Sequence, residues 1–172
     1  MSQARSQRHR QRRADDRPVG FDPRAGRQFI LGQRTLGELE GISKGEQYDI
    51  ARVGYAHLED GQLGEAETVF EGLLALDPYD AYFLTALGVI AQRQERLERA
   101  DRCFSRALEI NPFSTTALAN RGEVRLKQGR LVEAADDLVR ALEEDRQGEQ
   151  PSTVRARALV ATMQSEIRNA VR

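Results

Sequence analysis

The sequence contains no tryptophan, one cysteine and two histidines among its 172 residues. A single cysteine, Cys103, cannot form an internal disulfide bond or supply a cysteine-based zinc site. The two histidines, His9 and His57, lie far apart in the sequence, so a histidine-rich metal site is not expected. We therefore expect a protein without a metal or another cofactor.

Long hydrophobic stretches are also missing. The longest apolar runs are a few residues long, as at residues 29–31, whereas a membrane-spanning helix needs about 20. The basic start of the chain is not followed by the apolar stretch of a secretory signal peptide. On these grounds we expect a cytoplasmic protein that does not contact a membrane.

The common sequence motifs of enzymes are absent. There is no glycine-rich phosphate loop, no GxSxG motif and no paired histidine and carboxylate spacing. His57 has no neighbour that would make it a general base, and Cys103 has no adjacent histidine to activate its thiol. We expect a non-enzymatic protein that uses no nucleotide.

Charge is distributed unevenly along the chain. Residues 1–28 contain eight arginines and three aspartates, a net charge of +5, whereas the remainder carries 18 basic and 24 acidic residues, a net charge of −6. The first segment has few apolar residues to offset the entropy of ordering, so we predict a disordered Arg-rich arm. No aromatic residue lies within the arginine cluster at residues 8–13 to stack on bases, and nucleic-acid binding is therefore only a minor alternative.

From about residue 44 to residue 146 the sequence repeats with a period of 34 residues. Six sets of positions share this spacing: Gly54, Gly88 and Gly122; Leu63, Leu97 and Leu131; Ala66, Ala100 and Ala134; Phe70, Phe104 and Leu138; Leu74, Leu108 and Leu142; Pro78 and Pro112. Glycine and alanine allow two antiparallel helices to cross closely, and proline ends the second helix. This period and pattern are typical of tetratricopeptide repeats.

We therefore predict an all-α protein, a tetratricopeptide helix-hairpin solenoid of three repeats with a C-terminal capping helix. The expected helix pairs are 46–59 with 63–76, 80–94 with 97–110, and 115–128 with 131–144, and the capping helix spans 151–170. Gly61 and Gly129 form the first and third hairpin turns, but Glu95 replaces glycine in the second. The predicted organisation is an arm at 1–28, an amphipathic lead-in segment at 29–45 and a repeat domain at 46–172.

Three such hairpins form a concave groove that can bind an extended peptide. We expect the groove to be neutral and to suit an apolar segment, because tyrosines and small residues dominate the inner positions of the first helices. The predicted groove residues are Tyr48, Ala51, Tyr55, Leu58, Tyr82, Thr85, Val89, Thr116, Ala119, Glu123 and Leu126.

The lead-in segment carries more apolar surface than a short exposed element normally leaves in water. It either folds back on the first repeat or pairs with a second chain. The predicted dimer contacts are Phe29, Ile30, Leu31, Leu36, Leu39 and Ile42.

Two segments resemble the class II type III secretion chaperones, the SycD/LcrH-type tetratricopeptide chaperones of translocator proteins. Residues 35–42 (TLGELEGI) are similar to the short amphipathic segment that precedes the first repeat in that family. Residues 74–84 (LALDPYDAYFL), followed by Leu87 and Gly88, are similar to its LxxLDPYDxxxF…LG segment. The resemblance covers roughly residues 30–170.

This resemblance implies a cytoplasmic, ATP-independent chaperone that holds translocators before export by binding an extended segment in its groove. The expected partner is thus a secreted, translocator-like protein, and the resemblance also favours a weak homodimer that pairs through the lead-in segment. A generic tetratricopeptide adaptor or scaffold for protein–protein interactions remains the alternative, because the third repeat is close to the general repeat consensus.

Overall fold

The computed structural model describes residues 22–170. Over this range the chain is all-helical, as predicted, with helices α1 Pro23–Ile30, α2 Leu36–Leu39, α3 Lys44–Glu59, α4 Leu63–Leu76, α5 Ala81–Arg93, α6 Leu97–Ile110, α7 Thr115–Lys127, α8 Leu131–Glu144 and α9 Pro151–Ala170. The helices of the three repeats begin and end within two residues of the positions expected from the 34-residue period. Most of the Arg-rich arm, up to residue 21, lies outside the described residues.

Helix α1 begins inside the segment that the sequence analysis assigned to the arm. Asp22 caps it by accepting a hydrogen bond from the backbone N–H of Arg24 at 2.9 Å, and Pro23 occupies the first turn. An aspartate followed by proline is a strong local helix start. Residues 23–28 are therefore helical, although their composition alone suggested disorder.

The six repeat helices form three hairpins, α3–α4, α5–α6 and α7–α8, and each hairpin packs against the next. Helix α9 packs against both α7 and α8 and covers the last repeat. The short helix α2 packs against α4 and connects the lead-in segment to the first hairpin. The chain thus forms the predicted short solenoid with a C-terminal cap.

Glycine is required where the two helices of each hairpin cross. A Cβ atom on Gly54 would lie 2.7 Å from the ring of Phe70, and one on Gly122 would lie 2.8 Å from the side chain of Leu138. On Gly88 it would overlap the ring of Phe104. Since Phe70, Phe104 and Leu138 are fully buried, they have no free space into which to move.

The three hairpin turns share one backbone conformation. Gly61 and Gly129 both have φ of +75°, in the left-handed region that glycine adopts without strain. Glu95 adopts the same region with φ of +58°. The repeat packing therefore imposes this turn on the middle repeat even though the residue there has a side chain.

An ion-pair network connects the last two hairpins. The guanidinium of Arg121 donates to both carboxylate oxygens of Asp137, at 2.8 and 2.6 Å. Arg125 donates to Asp137 at 2.8 Å and to Asp101 on α6 at 2.9 Å. The side chain of Asp137 is only 3% exposed, so two largely buried arginines share one buried carboxylate, and Asp101 supplies a second negative charge to Arg125.

Replacing Gly88 by leucine should separate α5 from α6. We expect Gly88→Leu to lower the free energy of unfolding by about 3 kcal/mol or more, because an overpacked core costs about 1–3 kcal/mol and the ring of Phe104 is fixed. Gly72 on α4 has no atom within 4 Å of the position of a Cβ. The control Gly72→Ala should therefore raise stability slightly. Equal urea midpoints for Gly88→Leu and the parent would contradict the assigned register.

Removal of the Asp137 carboxylate should be strongly destabilising. Asp137→Ala leaves Arg121 and Arg125 charged and largely buried without their shared partner, which costs about 3–5 kcal/mol. The neighbouring Asp136 is exposed, so Asp136→Ala should change stability by no more than about 0.5 kcal/mol. Urea unfolding followed by far-UV circular dichroism measures both, and similar midpoints for the two variants would show that the network contributes little.

Candidate functional site

Helices α3, α5 and α7, the first helices of the three hairpins, contribute side chains to one surface, which we call the groove. It has two parts of different chemistry. At the end formed by α3 and α5 lies a cluster of tyrosines, and at the end formed by α5, α7 and the start of α9 lies a polar cleft.

The tyrosine cluster consists of Tyr48, Tyr55 and Tyr82. The ring of Tyr82 meets the ring of Tyr48 edge-on, with centroids 5.7 Å apart, and its centroid lies 5.5 Å from that of Tyr55. Tyr48 is 43% exposed and Tyr82 is 48% exposed, whereas Tyr55 is half-buried. Beside them, Arg52 joins Tyr48 and Tyr82 in lining a depression of about 390 Å³. The structure thus brings together the three tyrosines that the sequence analysis selected.

Asp80 fixes the position of the cluster. It caps α5 by accepting hydrogen bonds from the backbone N–H groups of Tyr82, at 2.9 Å, and Phe83, at 3.2 Å. Its other carboxylate oxygen accepts from the hydroxyl of Tyr48 at 3.2 Å and from the ammonium of Lys44 at 3.0 Å. One buried carboxylate therefore orders both the start of α5 and the ring of Tyr48.

Lys44 is a residue of this site that the sequence analysis missed. Its ammonium contacts Asp77 as well as Asp80 and lies 5.7 Å from the centroid of the Phe83 ring. Partial burial lowers the pKa of Lys44, but the hydrogen bonds with the two aspartates outweigh this effect and raise the pKa overall. Lys44 therefore stays protonated and is shared by the two carboxylates behind the tyrosine cluster.

Tyr55 has a more structural position than its two neighbours. Its ring packs edge-on against buried Phe70, with centroids 5.1 Å apart. Burial, with smaller contributions from nearby Tyr82 and Asp80, raises the pKa of Tyr55. Its phenol therefore remains a neutral hydrogen-bond donor below strongly alkaline pH.

Three of the predicted groove residues belong to the core instead. Ala51, Leu58 and Ala119 are 1%, 4% and 1% exposed. Ala51 and Leu58 pack in the cluster that includes Phe70, and Ala119 packs in the cluster that includes Leu138. These positions lie on the helix face that turns toward the second helices, so a ligand in the groove would not touch them.

The other predicted residues extend the groove along α5 and α7. Thr85 and Val89 are half-buried on α5, and the hydroxyl of Thr85 donates to the carbonyl of Ala81 at 2.7 Å. Thr116 is exposed on α7. Leu126 is half-buried and packs against the core, which leaves it only a partial role in the surface.

The polar cleft has a volume of about 610 Å³. Three of the predicted residues line it. Of the others, Asn120 lies in the middle of α7, and the rest come from the ends of α5 and α7 and from the start of α9, which the sequence predicted only as a cap. The lining residues are Val89, Gln92, Arg93, Thr116, Asn120, Glu123, Lys127, Gln150, Pro151, Ser152 and Arg155.

Glu123 lies at the centre of the charges in this cleft. It accepts a hydrogen bond from the amide of Gln92 at 2.8 Å, and it pairs with the ammonium of Lys127 and with Nε of Arg155, both at 3.3 Å. Arg155 also donates to the side-chain carbonyl of Asn120. The prediction of a neutral groove is therefore wrong for this end, because α9 and the end of α7 contribute cations to it.

The lead-in segment presents a second apolar surface. Leu36, Leu39 and Ile42 are half-buried, and the carbonyl of Ile42 accepts a hydrogen bond from the buried side chain of Gln47 at 3.2 Å. The residues at the end of α1 differ, since Phe29, Ile30 and Leu31 are 42%, 82% and 57% exposed. The segment thus folds back on the first repeat through α2 but leaves the end of α1 in solvent.

The described residues were also searched for membrane-spanning helices, metal sites and a reactive thiol. None of the helices between residues 22 and 170 combines the length and the apolar character that crossing a membrane requires. In the same part of the chain no three histidine, cysteine or acidic side chains group closely enough to hold a metal ion. Burial raises the pKa of Cys103, so its thiol is a poor nucleophile.

Comparison with known proteins identifies the repeat. Residues 85–149 match the family model of the tetratricopeptide repeat. No curated protein sequence matches the chain. Solved structures do resemble it, at sequence identities below 25%, and they establish that the chain has the tetratricopeptide fold predicted from its period.

Three of these structures show the different kinds of protein that share this fold. A type III secretion complex from Aeromonas hydrophila has a TM-score of 0.73 and 21% identity, over 83% of this chain and 96% of that one. The Yersinia enterocolitica type III secretion chaperone SycD, in complex with a peptide of the translocator YopD, has a TM-score of 0.65 and 23% identity, over 76% and 98% of the two chains. The first tetratricopeptide domain of Spaghetti (RPAP3), bound to the HSP90 peptide SRMEEVD, has a TM-score of 0.63 and 20% identity, over 72% and 96%.

Proposed function

We propose that this protein is a cytoplasmic chaperone that holds a secreted, translocator-like partner by binding an extended segment of it in the groove. The observation that carries the proposal is the exposed tyrosine cluster on the first helices of a fold shared with SycD, a chaperone solved with a peptide of the translocator YopD. The protein needs neither catalysis nor ATP for this role, since the free energy of binding alone keeps the segment from aggregating.

The tyrosine cluster suits such binding physically. Tyr48 and Tyr82 leave almost half of their surface in solvent, while the contacts with Asp80 hold the ring of Tyr48 and the start of α5 in place. Rigid aromatic side chains lose little conformational entropy when they are covered, and each buried tyrosine anchor contributes about 2 kcal/mol at a binding hot spot. An apolar or proline-containing segment would cover them.

A generic tetratricopeptide adaptor is the second candidate function. It is favoured by the likeness to the RPAP3 domain, whose solved complex contains an HSP90 peptide and not a translocator peptide. The two candidates differ in the nature of the partner. A partner with hydrophobic membrane-insertion segments supports the chaperone, whereas a soluble regulatory or envelope protein supports the adaptor.

Loss of an exposed tyrosine should weaken partner binding without unfolding the repeats. The partner is first identified by purifying the tagged full chain from its native cells, and its binding segment is then made as labelled peptides. We expect Tyr48→Ala and Tyr82→Ala each to weaken peptide binding about thirtyfold in fluorescence anisotropy, with melting curves close to that of the parent. Tyr55→Ala should also lose stability, because its ring packs on Phe70.

Tyr79 is the matched control for these variants. It is 66% exposed in the turn between α4 and α5 and lies outside the tyrosine cluster. Tyr79→Ala should bind the peptide as tightly as the parent does. The groove is not the binding site if Tyr48→Ala and Tyr82→Ala retain parental affinity, or if Tyr79→Ala alone loses it.

We further propose that two chains form a weak homodimer through the exposed end of α1. The apolar residues Phe29, Ile30 and Leu31 carry the proposal, because they are more exposed than the rest of the lead-in segment. Sedimentation equilibrium should show a dimer at high micromolar concentration, and Ile30→Glu should abolish it. Val132→Glu, a change at a position on α8 that is 76% exposed, is the control. A parent protein that remains monomeric at these concentrations would refute the dimer.

A further inference from the structure

The polar cleft has the opposite sign of charge from the body of the protein. Among the described residues that line it, Arg93, Lys127 and Arg155 are cationic and Glu123 is the one carboxylate, a local excess of two positive charges. Residues 29–172 as a whole carry a net charge of −6. A basic cleft on an acidic body attracts acidic groups specifically to that place.

The cations in the cleft are only partly neutralised. Lys127 and Arg155 share Glu123, each at 3.3 Å, and their side chains are both 49% exposed. Arg93 donates to the backbone carbonyl of Leu58 at 2.9 Å, an acceptor without formal charge. These side chains therefore keep hydrogen-bond donors available for a carboxylate that enters the cleft.

Ser152, in the first turn of α9, gives independent support. It lines the cleft, it is 6% exposed, and its hydroxyl has no hydrogen-bond partner among the described residues. A buried hydroxyl without a partner carries a cost that an incoming acceptor would relieve. Its position in the first turn of a 20-residue helix also favours an anion, because the helix dipole is positive at this end.

The cleft lies within reach of a segment that is bound to the tyrosine cluster. Tyr82 and Val89 are seven residues apart on α5, about 10 Å along the helix axis, and Val89 lines the cleft. An extended chain covers this distance with about three residues. If an apolar residue of the segment contacts Tyr82, the residues that are three to six positions from it in the segment therefore lie in the cleft.

We propose that the polar cleft binds aspartate or glutamate side chains located three to six residues from the apolar anchor of the segment in the groove. This inference rests on the proposed groove function and specifies the partner's chemistry. The occupant is a segment of a partner protein and not the chain's own arm, because residues 1–28 carry a net charge of +5 and would be repelled.

A random twelve-residue peptide library displayed on phage tests the proposal with the full chain as bait. We expect the selected peptides to contain an apolar or proline residue followed or preceded at three to six positions by aspartate or glutamate. A labelled copy of one such peptide, and a copy with each acid replaced by its amide, are then compared. The amide copy should bind about tenfold more weakly, and added salt should weaken only the acidic copy.

Charge-reversal variants test whether the cationic side chains of the cleft cause the preference for the acidic peptide. Lys127→Glu and Arg93→Glu should each weaken the acidic peptide about tenfold and leave the amide peptide unchanged. Lys127→Glu is the cleaner of the two variants, because the ion pair of Lys127 with Glu123 lies within α7, whereas Arg93 contacts Leu58 on α3. Arg155 is left unchanged because it connects α9 to α7. Arg102 is exposed on α6 and does not line the cleft, so Arg102→Glu is the control.

The outcomes separate this inference from the groove proposal. Peptides that lose binding with Tyr82→Ala but show no acidic preference overturn the inference and leave the groove function intact. Equal affinity of the acidic and amide copies overturns it as well. Selected peptides that bind Tyr82→Ala as well as they bind the parent overturn both proposals, because the segment then lies elsewhere.

Discussion

The close approach of the two helices in each hairpin is the constraint on which the rest of the structure depends. Where Gly54, Gly88 and Gly122 face fully buried side chains, no atom can be added to the glycine without moving a helix. This contact sets the distance between helices in every repeat and thereby the stacking of α3, α5 and α7. The groove exists because these three helices lie side by side at a repeated spacing.

The turn between the first two repeats connects this framework to the candidate site. Asp77 and Asp80 belong to the segment that resembles the translocator chaperones, and the structure gives them a physical role. Asp80 caps α5, and both aspartates bind Lys44, which comes from the start of α3. The same group of charges holds the hydroxyl of Tyr48. The polar contacts of Asp77 and Asp80 thus fix the position of the first repeat relative to the second and hold the tyrosine end of the groove in place.

The period of 34 residues predicted the repeat helices to within two residues, since glycine, alanine and proline mark crossings and ends directly in the sequence. The rotation of each helix about its own axis was harder to predict, because it depends on how the neighbouring helices pack. For this reason Ala51, Leu58 and Ala119, which were predicted to face the groove, are core residues instead. Arg155 could not be assigned to the cleft from sequence, because its position depends on how α9 packs across α7 and α8. Periodicity reports local structure, whereas the charges of the site are brought together by tertiary packing.

Photocrosslinking in the native cells shows whether the groove holds an extended segment of a partner. A photoreactive phenylalanine analogue is placed at position 82 in one version of the chain and at position 79 in another, so that both probes replace an exposed tyrosine. We expect the probe at position 82 to crosslink to one short segment of a partner and the probe at position 79 to form no such crosslink. Crosslinks to a partner from position 79 with none from position 82 would contradict this expectation.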